Sequence, residues 1–539
     1  MVRMVIVPDE GDGGWLRAAD GGPVTRVPDL AASVGEFEDA GEPRWVVADL
    51  AQVYPRLLRR GARLGRCHDV TLTESLLLGY DGRYGEPSAP AAAHARLRGL
   101  PPPPPVPEAV TGTLFDDERP PKDGAAEAVL LDEVHAGQMA RLESRGRMAT
   151  LAAAESAGGL IAAEMTFHGL PFSREAHDAI LTGMLGSRPV KGLRPRHLQE
   201  LADRVSAAFG RPVNPDSPQQ ILAAFKSAGM PIESTRSWVL KRLDHAAVEP
   251  LLEYKELARI WTAHGWSWAD QWVSPGGDGQ RLRPEYVVGG VVSGRWATDG
   301  GGALQIPKAV RGAVRADPGH LLVVADAAQL EPRVLAAMSG DAGMARAAGE
   351  IDLYEALSGT FGGKRDDAKI ALLSAMYGGG SPEAMTLLAV MRQRFPAAYA
   401  YVEAAAQAGE RGRLVRSWLG RTCPPASSSF KSMGAGPEAS RAVRDRGRFT
   451  RNFVVQGTAA EWALALMAFL RNRLREESLG ELVFFQHDEV IVHCPAERAG
   501  RVGEVIAAAG RAATELLFPG TPVRIPMHTA AVESYADAK

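Results

Sequence analysis

Two apolar segments that lie far apart in the chain constrain its fold more than any other feature. The first, HLLVVAD, covers residues 320–326, and the second, ELVFFQHDEVIVHC, covers residues 481–494. Both have the length and apolar content of buried strands, whereas residues 328 to about 475 have helical periodicity. If strands 320–326 and 481–486 neighbour each other in one sheet, that sheet is interrupted in sequence by a helical subdomain.

The length, charge balance and few cysteines exclude several classes of protein. The 539 residues exceed the usual size of one hydrophobic core, which favours two to four domains. The chain has 61 Lys and Arg and 64 Asp and Glu, so any phosphate binding must come from local basic clusters. The cysteines, Cys67, Cys423 and Cys494, lie far apart, which excludes a disulfide framework or a zinc ribbon and favours a reducing cytoplasm. No apolar run approaches a membrane span, so we expect no membrane partner.

Composition divides the chain before the first of the two strands. Residues 1–86 mix β-like runs such as RWVVADL with helical segments, which predicts a small α/β unit. Residues 87–125 are rich in Ala and Pro, and they predict an extended interdomain linker. Its segment GTLFDD, 112–117, either docks on a partner such as a sliding clamp or anchors on its own domain. Residues 126–275 are almost wholly helical in pattern.

Carboxylates follow both predicted strands. Asp326 stands at the carboxyl end of the first strand, where one interpretation is a helix cap. In the other, Asp326 and Asp488 converge on two divalent cations, which clamp the attacking and leaving oxygens of a phosphoryl displacement. Mg²⁺ keeps several waters, so two protein carboxylates suffice when substrate phosphates supply further oxygens. Because strand side chains alternate between faces, we expect Asp488 to be the metal ligand and Glu489 the outer member.

Three further stretches carry polar residues at spacings that suit a phosphorylated substrate. In GKRDDAKIALLSAMYGGG, residues four apart form one stripe along a predicted helix. This stripe would bind a triphosphate and stack on a base, or its Arg and Lys side chains would face solvent. In RFTRNFVVQGTAAEW, polar residues at every fourth position form a buried hydrogen-bond ladder or contact nucleic acid. The strongest local basic patch of the chain is SGRWATDGGGALQIPKAVRGAVR, which would bind phosphates or form a solvated surface loop. In the first stretch these residues are Arg365, Lys369, Leu373 and Tyr377. In the second they are Arg448, Asn452 and Gln456, and in the third Arg295, Gln305, Lys308, Arg311 and Arg315.

Taken in order, these stretches resemble the polymerase region of family A DNA polymerases, from about residue 155 to the C-terminus. DAAQLEPRVLA is similar to motif A of that family, RDDAKIALLSAMYGG to its fingers helix, and QHDEV to its motif C. The resemblance implies an α+β multidomain fold with a right-hand palm, fingers and thumb, and a small N-terminal α/β exonuclease-like domain. The implied domains are 1–86 exonuclease-like, 87–125 linker, 126–275 thumb, 276–340 first part of the palm, 341–435 fingers and 436–539 second part of the palm.

The resemblance also implies a role for each matching residue in adding dNTPs to a primer 3′-hydroxyl on a DNA template. Asp326 and Asp488 would bind two Mg²⁺ ions, for which Mn²⁺ would substitute, and Glu489 would assist. Lys369 would grip the triphosphate together with Arg365 and protonate the departing pyrophosphate. Further nucleotide contacts, including exclusion of a ribose 2′-hydroxyl by Glu331, would come from Gln329, Glu331, Tyr354 and Tyr377. Primer and template contacts would come from Arg295, Gln305, Arg448, Asn452, Gln456 and His487.

The sequence departs from the family pattern at several positions. Leu373 replaces an aromatic residue of the fingers helix. DAAQ stands where the family has a Tyr-Ser pair after the first metal-binding Asp, and Tyr354 stands where the family has a phosphate-contacting His.

The N-terminal unit lacks the Asp-x-Glu of a proofreading exonuclease, and only Asp69 matches a later exonuclease motif. The missing carboxylates predict a shortened exonuclease-like domain with little or no nuclease activity.

Several functions stay open at this stage. The leading hypothesis is a monomeric DNA polymerase of the bacterial cytoplasm and nucleoid that acts in replication or repair. The alternatives are a weak or inactive DNA-binding scaffold, a bifunctional enzyme that retains 3′–5′ exonuclease activity, and a related RNA polymerase or reverse transcriptase. Glu331 argues against ribonucleotide use, and retention of Asp326, Lys369 and Asp488 together argues against a scaffold.

Overall fold

The structure is a computed structural model that describes most of the chain. The described residues are 2–41, 43–103, 123–276, 279–299, 302, 306–350, 352–378, 382–432 and 436–538. The segment 112–117, predicted to dock on a clamp or on its own domain, and Gln305, predicted to contact DNA, both lie outside these residues.

The N-terminal unit is a five-stranded mixed sheet with helices. Its elements are β1 (Arg3–Pro8), β2 (Gly14–Ala18), β3 (Val24–Val27), α1 (Leu30–Gly41), β4 (Arg44–Val47), α2 (Leu50–Arg59), β5 (Arg66–Asp69) and α3 (Val70–Tyr80). The strand order is β3-β2-β1-β4-β5, in which β1 pairs antiparallel with β2 and parallel with β4. The small α/β unit expected from the sequence is therefore present in the structure.

The beginning of the predicted linker differs from the expectation. A helix, α4 (Pro90–Leu97), forms there, with Pro90 at its first turn. Its residues Ala92 and Ala93 are buried, and Ala93 packs in a cluster with Val5 and Val134. Proline at the first turn and alanines in the body suit a helix, so this part of the segment packs on the fold instead of extending away from it.

The next region is helical, as its periodicity predicts. It contains α5 (Gly124–Glu143), α6 (Met148–His168), β6 (Leu170–Pro171), α7 (Arg174–Leu185), α8 (Arg196–Ala208), α9 (Pro218–Ser227), α10 (Ser237–Leu240), α11 (Val248–His264) and α12 (Trp266–Trp272). Ser217 caps α9 by accepting a hydrogen bond from the Gln220 amide. Four short strands follow: β7 (Val273–Gly276), β8 (Gly279–Leu282), β9 (Glu285–Val287) and β10 (Ala297–Asp299).

A four-stranded antiparallel sheet forms the centre of the C-terminal part. Its strands are β11 (His320–Ala327), β12 (Glu481–Gln486), β13 (Glu489–Pro495) and β14 (Met527–Val532), in the order β12-β13-β11-β14. The two predicted segments do share this sheet, but the neighbour of β11 is β13, not the segment 481–486. Both hairpin strands contain four consecutive buried residues, 482–485 and 489–492, and they differ in their neighbours: β13 pairs with both β11 and β12, whereas β12 lies at the sheet edge.

Helices fill the sequence between β11 and β12. They are α13 (Leu330–Ser339), α14 (Ala342–Ala347), α15 (Leu353–Ser358), α16 (Arg365–Tyr377), α17 (Pro382–Arg394), α18 (Pro396–Glu410), α19 (Ser428–Ser432) and α20 (Pro437–Glu476), and α21 (Ala499–Leu517) follows β13. Among the described residues, α20 alone is long and apolar enough to cross a membrane, but 83% of its apolar window is buried inside the fold. This helix is therefore part of the protein core.

Candidate active site

A hairpin turn places Asp488 beside the end of β11. The turn between β12 and β13 consists of His487, whose φ is +58°, and Asp488. Asp326 is paired in register with Glu489, and the Ala327 amide donates a hydrogen bond of 3.0 Å to the Asp488 carbonyl. Asp326 and Asp488, both half-buried, therefore stand one register position apart at the same end of the sheet.

The helix-cap interpretation of Asp326 is wrong. The helix that follows, α13, begins at Leu330, and its N-cap position is occupied by Gln329 in a left-handed conformation. Asp326 lies inside β11, before the connecting turn. Asp326 therefore stands at the sheet end, three residues before the N-cap position of the helix.

Glu489 has a different environment from its neighbour. It is 4% exposed, and its carboxylate accepts a hydrogen bond from the Tyr535 hydroxyl. The Arg311 guanidinium covers the Tyr535 ring at 4.2 Å, and burial together with Glu489 raises the pKa of Tyr535 well above its usual range. Sequence reasoning missed Tyr535 because it lies 46 residues further along the chain and belongs to no recognised motif.

The pair Asp326 and Asp488 suits hard divalent cations. The described residues contain no group of three or more His, Cys, Asp and Glu side chains that could hold a metal ion. A site for Zn²⁺ normally requires three or four such ligands, whereas Mg²⁺ is held by one or two carboxylates with waters and substrate phosphates. Two carboxylates at one sheet end offer oxygen ligands of the kind that hard divalent cations prefer.

A cavity of about 250 Å³ opens beside this hairpin. Its lining brings together segments that are far apart in sequence: the loop before β10, the start of α13, the second half of α16, the middle of α20 and the β12–β13 turn. Among the predicted site residues, the lining includes Arg295, Gln329, Glu331, Leu373, Tyr377, His487 and Asp488. The fold thus assembles one site from motifs that the sequence shows separately.

Glu331 is the centre of a charged network in this cavity. Arg295 Nη2 and the Tyr377 hydroxyl both donate hydrogen bonds to its carboxylate. Burial and the negative charge of Glu331 raise the pKa of Tyr377 well above its usual range, so Tyr377 is a neutral donor. His487 also lines the cavity, where desolvation and repulsion from Arg295 lower its pKa.

The other end of α16 carries the predicted triphosphate contacts. Arg365 and Lys369 are both exposed, one turn apart. Arg365 Nε donates to Asp352 Oδ2 at 2.9 Å, and its guanidinium lies 5.3 Å from the centre of the Tyr354 ring. Sequence reasoning missed Asp352, although an Asp directly before a helical segment is a typical N-cap.

The predicted primer and template contacts on α20 reach the same region. A hydrogen bond joins Gln456 to Tyr377, and Asn452 is half-buried one turn earlier. Arg448 is exposed and packs against Gly378, where an added Cβ would lie 3.1 Å from Arg448 Cγ. Gly378 has a φ of +71°, so glycine suits both the conformation and this close approach.

Comparison with known proteins gives matches over most of the chain. The model of DNA polymerase family A matches residues 193–532. DNA polymerase I, thermostable, from Thermus aquaticus is 28% identical over 372 residues, which are 61% of this chain and 42% of that protein. DNA polymerase I from Chloroflexus aurantiacus is 26% identical over 376 residues, 61% of this chain and 39% of that protein. The chain therefore matches less than half the length of these relatives.

A solved structure has the same fold. The POL domain of Pol1 from M. smegmatis, in complex with DNA primer-template and dNTP, aligns with a TM-score of 0.75 and 18% sequence identity. The alignment covers 99% of this chain and 95% of that chain. The likeness therefore extends through the N-terminal sheet as well as the central one.

Proposed function

The chain belongs to DNA polymerase family A, whose model matches more than half of it, and we propose that it adds dNTPs to a primer 3′-hydroxyl under the direction of a DNA template. The observation that carries this proposal is the position of Asp488, which lines the cavity with Glu331 and Tyr377 and stands one register position from Asp326. This arrangement offers two metal-binding carboxylates next to a space for a nucleotide.

Each side of the site has a separate task in this reaction. Asp326 and Asp488 would hold two Mg²⁺ ions, with Mn²⁺ as a substitute, and such ions stabilise the attacking and leaving oxygens of phosphoryl transfer. Lys369 donates a proton toward the departing pyrophosphate. The triphosphate is bound by Arg365 and Lys369, and the sugar and base by Gln329, Glu331 and Tyr377. Primer and template are contacted by Arg295, Arg448, Asn452, Gln456 and His487.

Glu489 acts by positioning the hairpin. Its buried carboxylate is engaged by Tyr535, which fixes the start of β13 directly after Asp488. A residue held in this way orients the neighbouring metal ligand more readily than it binds a metal itself. Glu489 is thus assigned an assisting role in catalysis.

The N-terminal unit, 1–86, is an exonuclease-like domain with little or no nuclease activity in this proposal. Asp69 is fully buried, accepts hydrogen bonds from the amides of Leu50 and Leu72, and caps α3. Burial raises the pKa of Asp69 to about 7, which weakens it as a metal ligand. Degradation of a mismatched primer end in Mg²⁺, unaffected by Asp326→Ala, would contradict this assignment and favour the bifunctional alternative.

Primer extension tests the proposal directly. The purified chain is given dNTPs or rNTPs with Mg²⁺ on DNA and RNA templates. Extension with dNTPs on the DNA template is the expected result. Preference for rNTPs or RNA templates would favour a related RNA polymerase or reverse transcriptase, and absence of any incorporation would leave the DNA-binding scaffold.

The cellular setting follows from the same proposal. Such an enzyme would work as a monomer on primer-template DNA in the cytoplasm, in replication or repair. The palm would consist of 276–340 and 436–539, the fingers of 341–435 and the thumb of 126–275.

A pull-down with the sliding clamp tests whether GTLFDD recruits a partner. It compares the intact chain with a Leu114→Ala, Phe115→Ala variant.

A further inference from the structure

Arg365 is held on two sides by residues that precede the fingers helix. Its Nε donates to Asp352 Oδ2 at 2.9 Å, and its guanidinium lies over the Tyr354 ring at 5.3 Å. Within the described residues this ion pair engages only the Nε–H, so the four donors on the Nη nitrogens stay available for other acceptors. The Arg365 side chain is 44% exposed, which leaves its outer edge within reach of a ligand.

Asp352 is itself fixed by the palm side of the molecule. Its Oδ1 accepts from Gln329 Nε2 at 2.7 Å and from the amides of Tyr354 and Glu355 at 3.0 and 3.1 Å. Gln329 is in turn tied to the start of α15, where the Leu353 amide donates to its Oε1 at 2.9 Å. One oxygen of Asp352 thus anchors the carboxylate, and the other meets Arg365.

Tyr354 is poorly placed to touch a ligand itself. The side chain is 7% exposed, and burial raises the pKa of Tyr354 to about 12, so the phenol is neutral. What it offers to the surface is the ring face under the guanidinium. A cation over an aromatic ring is attracted to the negative face of the ring, and the attraction is stronger when water is excluded.

We propose that Tyr354 and Asp352 are positioning residues that orient Arg365, so that its Nη donors face the incoming triphosphate. Tyr354 acts through its ring and not through a contact of its hydroxyl with phosphate. This inference rests on the proposed function, because it assigns the triphosphate to Arg365. The Arg365 side chain is already held in place by these contacts. It therefore loses less conformational entropy when its guanidinium forms two hydrogen bonds with phosphate.

Variants at Tyr354 separate the ring from the hydroxyl. Tyr354→Phe keeps the ring, and we expect its KM for dNTP in single-nucleotide addition to stay within about 1.5-fold of wild type. Tyr354→Leu removes the ring, and we expect a two- to fivefold rise in KM with kcat within about twofold. If Tyr354→Phe raises KM as much as Tyr354→Leu, the hydroxyl acts directly and the proposal is wrong.

Asp352→Asn removes the ion pair and keeps the helix cap. Asn caps helices as well as Asp does, and its amide oxygen can keep the contacts that Oδ1 makes. We expect a rise in KM of about 1.4- to fivefold, which corresponds to the contribution of a partly exposed ion pair. Glu355→Gln is the matched control, because it removes one exposed charge from the same helix and should leave KM unchanged. Circular dichroism checks that each variant is folded.

A double-mutant comparison tests whether both residues act through Arg365. In an Arg365→Gln background, Asp352→Asn and Tyr354→Leu should cause no further rise in KM. Equal effects in both backgrounds would overturn the proposal.

Equilibrium titration of the DNA-free protein with dATP and with inorganic tripolyphosphate separates this inference from the proposed function. Weaker binding by Tyr354→Leu and Asp352→Asn, but not by Tyr354→Phe, supports the inference even if the wild type extends no primer. Unchanged binding together with normal extension by wild type would reject the inference and keep the polymerase.

Discussion

We expect the free energy of unfolding to depend on pH through the buried carboxyl group of Glu461. It follows the cavity-lining Ala459 and Ala460 on α20 and is 0% exposed. Its carboxylate accepts from the Ser417 hydroxyl and, at 2.9 Å, from the Leu419 amide. Burial raises the pKa of Glu461 from 4.5 to about 7.

The sign of the effect follows from proton linkage. Between pH 4.5 and 7 the folded protein keeps a proton on Glu461 that the unfolded chain has released. Stability therefore falls as pH rises through this window and levels off above it. A shift of this size corresponds to about 3 kcal/mol in full, of which about 2–3 kcal/mol falls between pH 5 and 8.

Glu461→Gln removes the titration and keeps the hydrogen bonds. The amide oxygen can accept from Leu419, and the amide nitrogen can donate to Ser417, whose hydroxyl is then free to donate to the Arg421 carbonyl, 3.2 Å away. Urea denaturation followed by circular dichroism at pH 5, 6, 7 and 8 should show the variant gaining about 2–3 kcal/mol on wild type across that range. Glu438→Gln, an exposed position on the same helix, is the control and should follow wild type. A constant difference between Glu461→Gln and wild type at all four pH values would refute the reasoning.

Three further predictions concern the hairpin and the nucleic-acid contacts. Tyr535→Phe leaves the buried Glu489 without its phenol donor, and we expect denaturation to show a loss of about 1.5–3 kcal/mol; an unchanged midpoint would contradict the assigned contact. Gly378→Ala strains a left-handed residue by about 1–2 kcal/mol and displaces Arg448, so DNA affinity in a titration should fall, whereas Gly359→Ala, with open space around its Cβ, should leave it unchanged. Arg448→Gln should weaken DNA binding similarly for all sequences and reduce the slope of log affinity against log salt by about one; a sequence-dependent loss would instead indicate base contact.

Much of the architecture could be predicted from the sequence, because it depends on local patterns and on motif order. The resemblance to family A DNA polymerases is confirmed by the family match over residues 193–532. The α+β fold and the helical subdomain between the two strands are present as expected. In each case hydrophobic periodicity and the order of the motifs were sufficient.

The remaining features depend on pairings between distant residues. Which strand of the hairpin joins β11 does not follow from the local pattern, because both hairpin strands contain four consecutive buried residues. The contacts of Tyr535 with Glu489 and of Asp352 with Arg365 join segments that share no local pattern. The helix α4 was hidden by its Pro- and Ala-rich surroundings, although Pro at a first turn followed by alanines suits a helix.

Single-nucleotide addition under single-turnover conditions tests the central claim most directly. Asp326→Asn and Asp488→Asn should each lower the rate by about a hundredfold or more, because each removes stabilisation from the charged transition state. Asp39→Asn, an exposed carboxyl on α1, should leave the rate unchanged. Glu489→Gln should cause a smaller loss than Asp488→Asn. If Asp488→Asn extends primers normally while Glu489→Gln abolishes extension, the roles of the two acids at the hairpin are assigned the wrong way round.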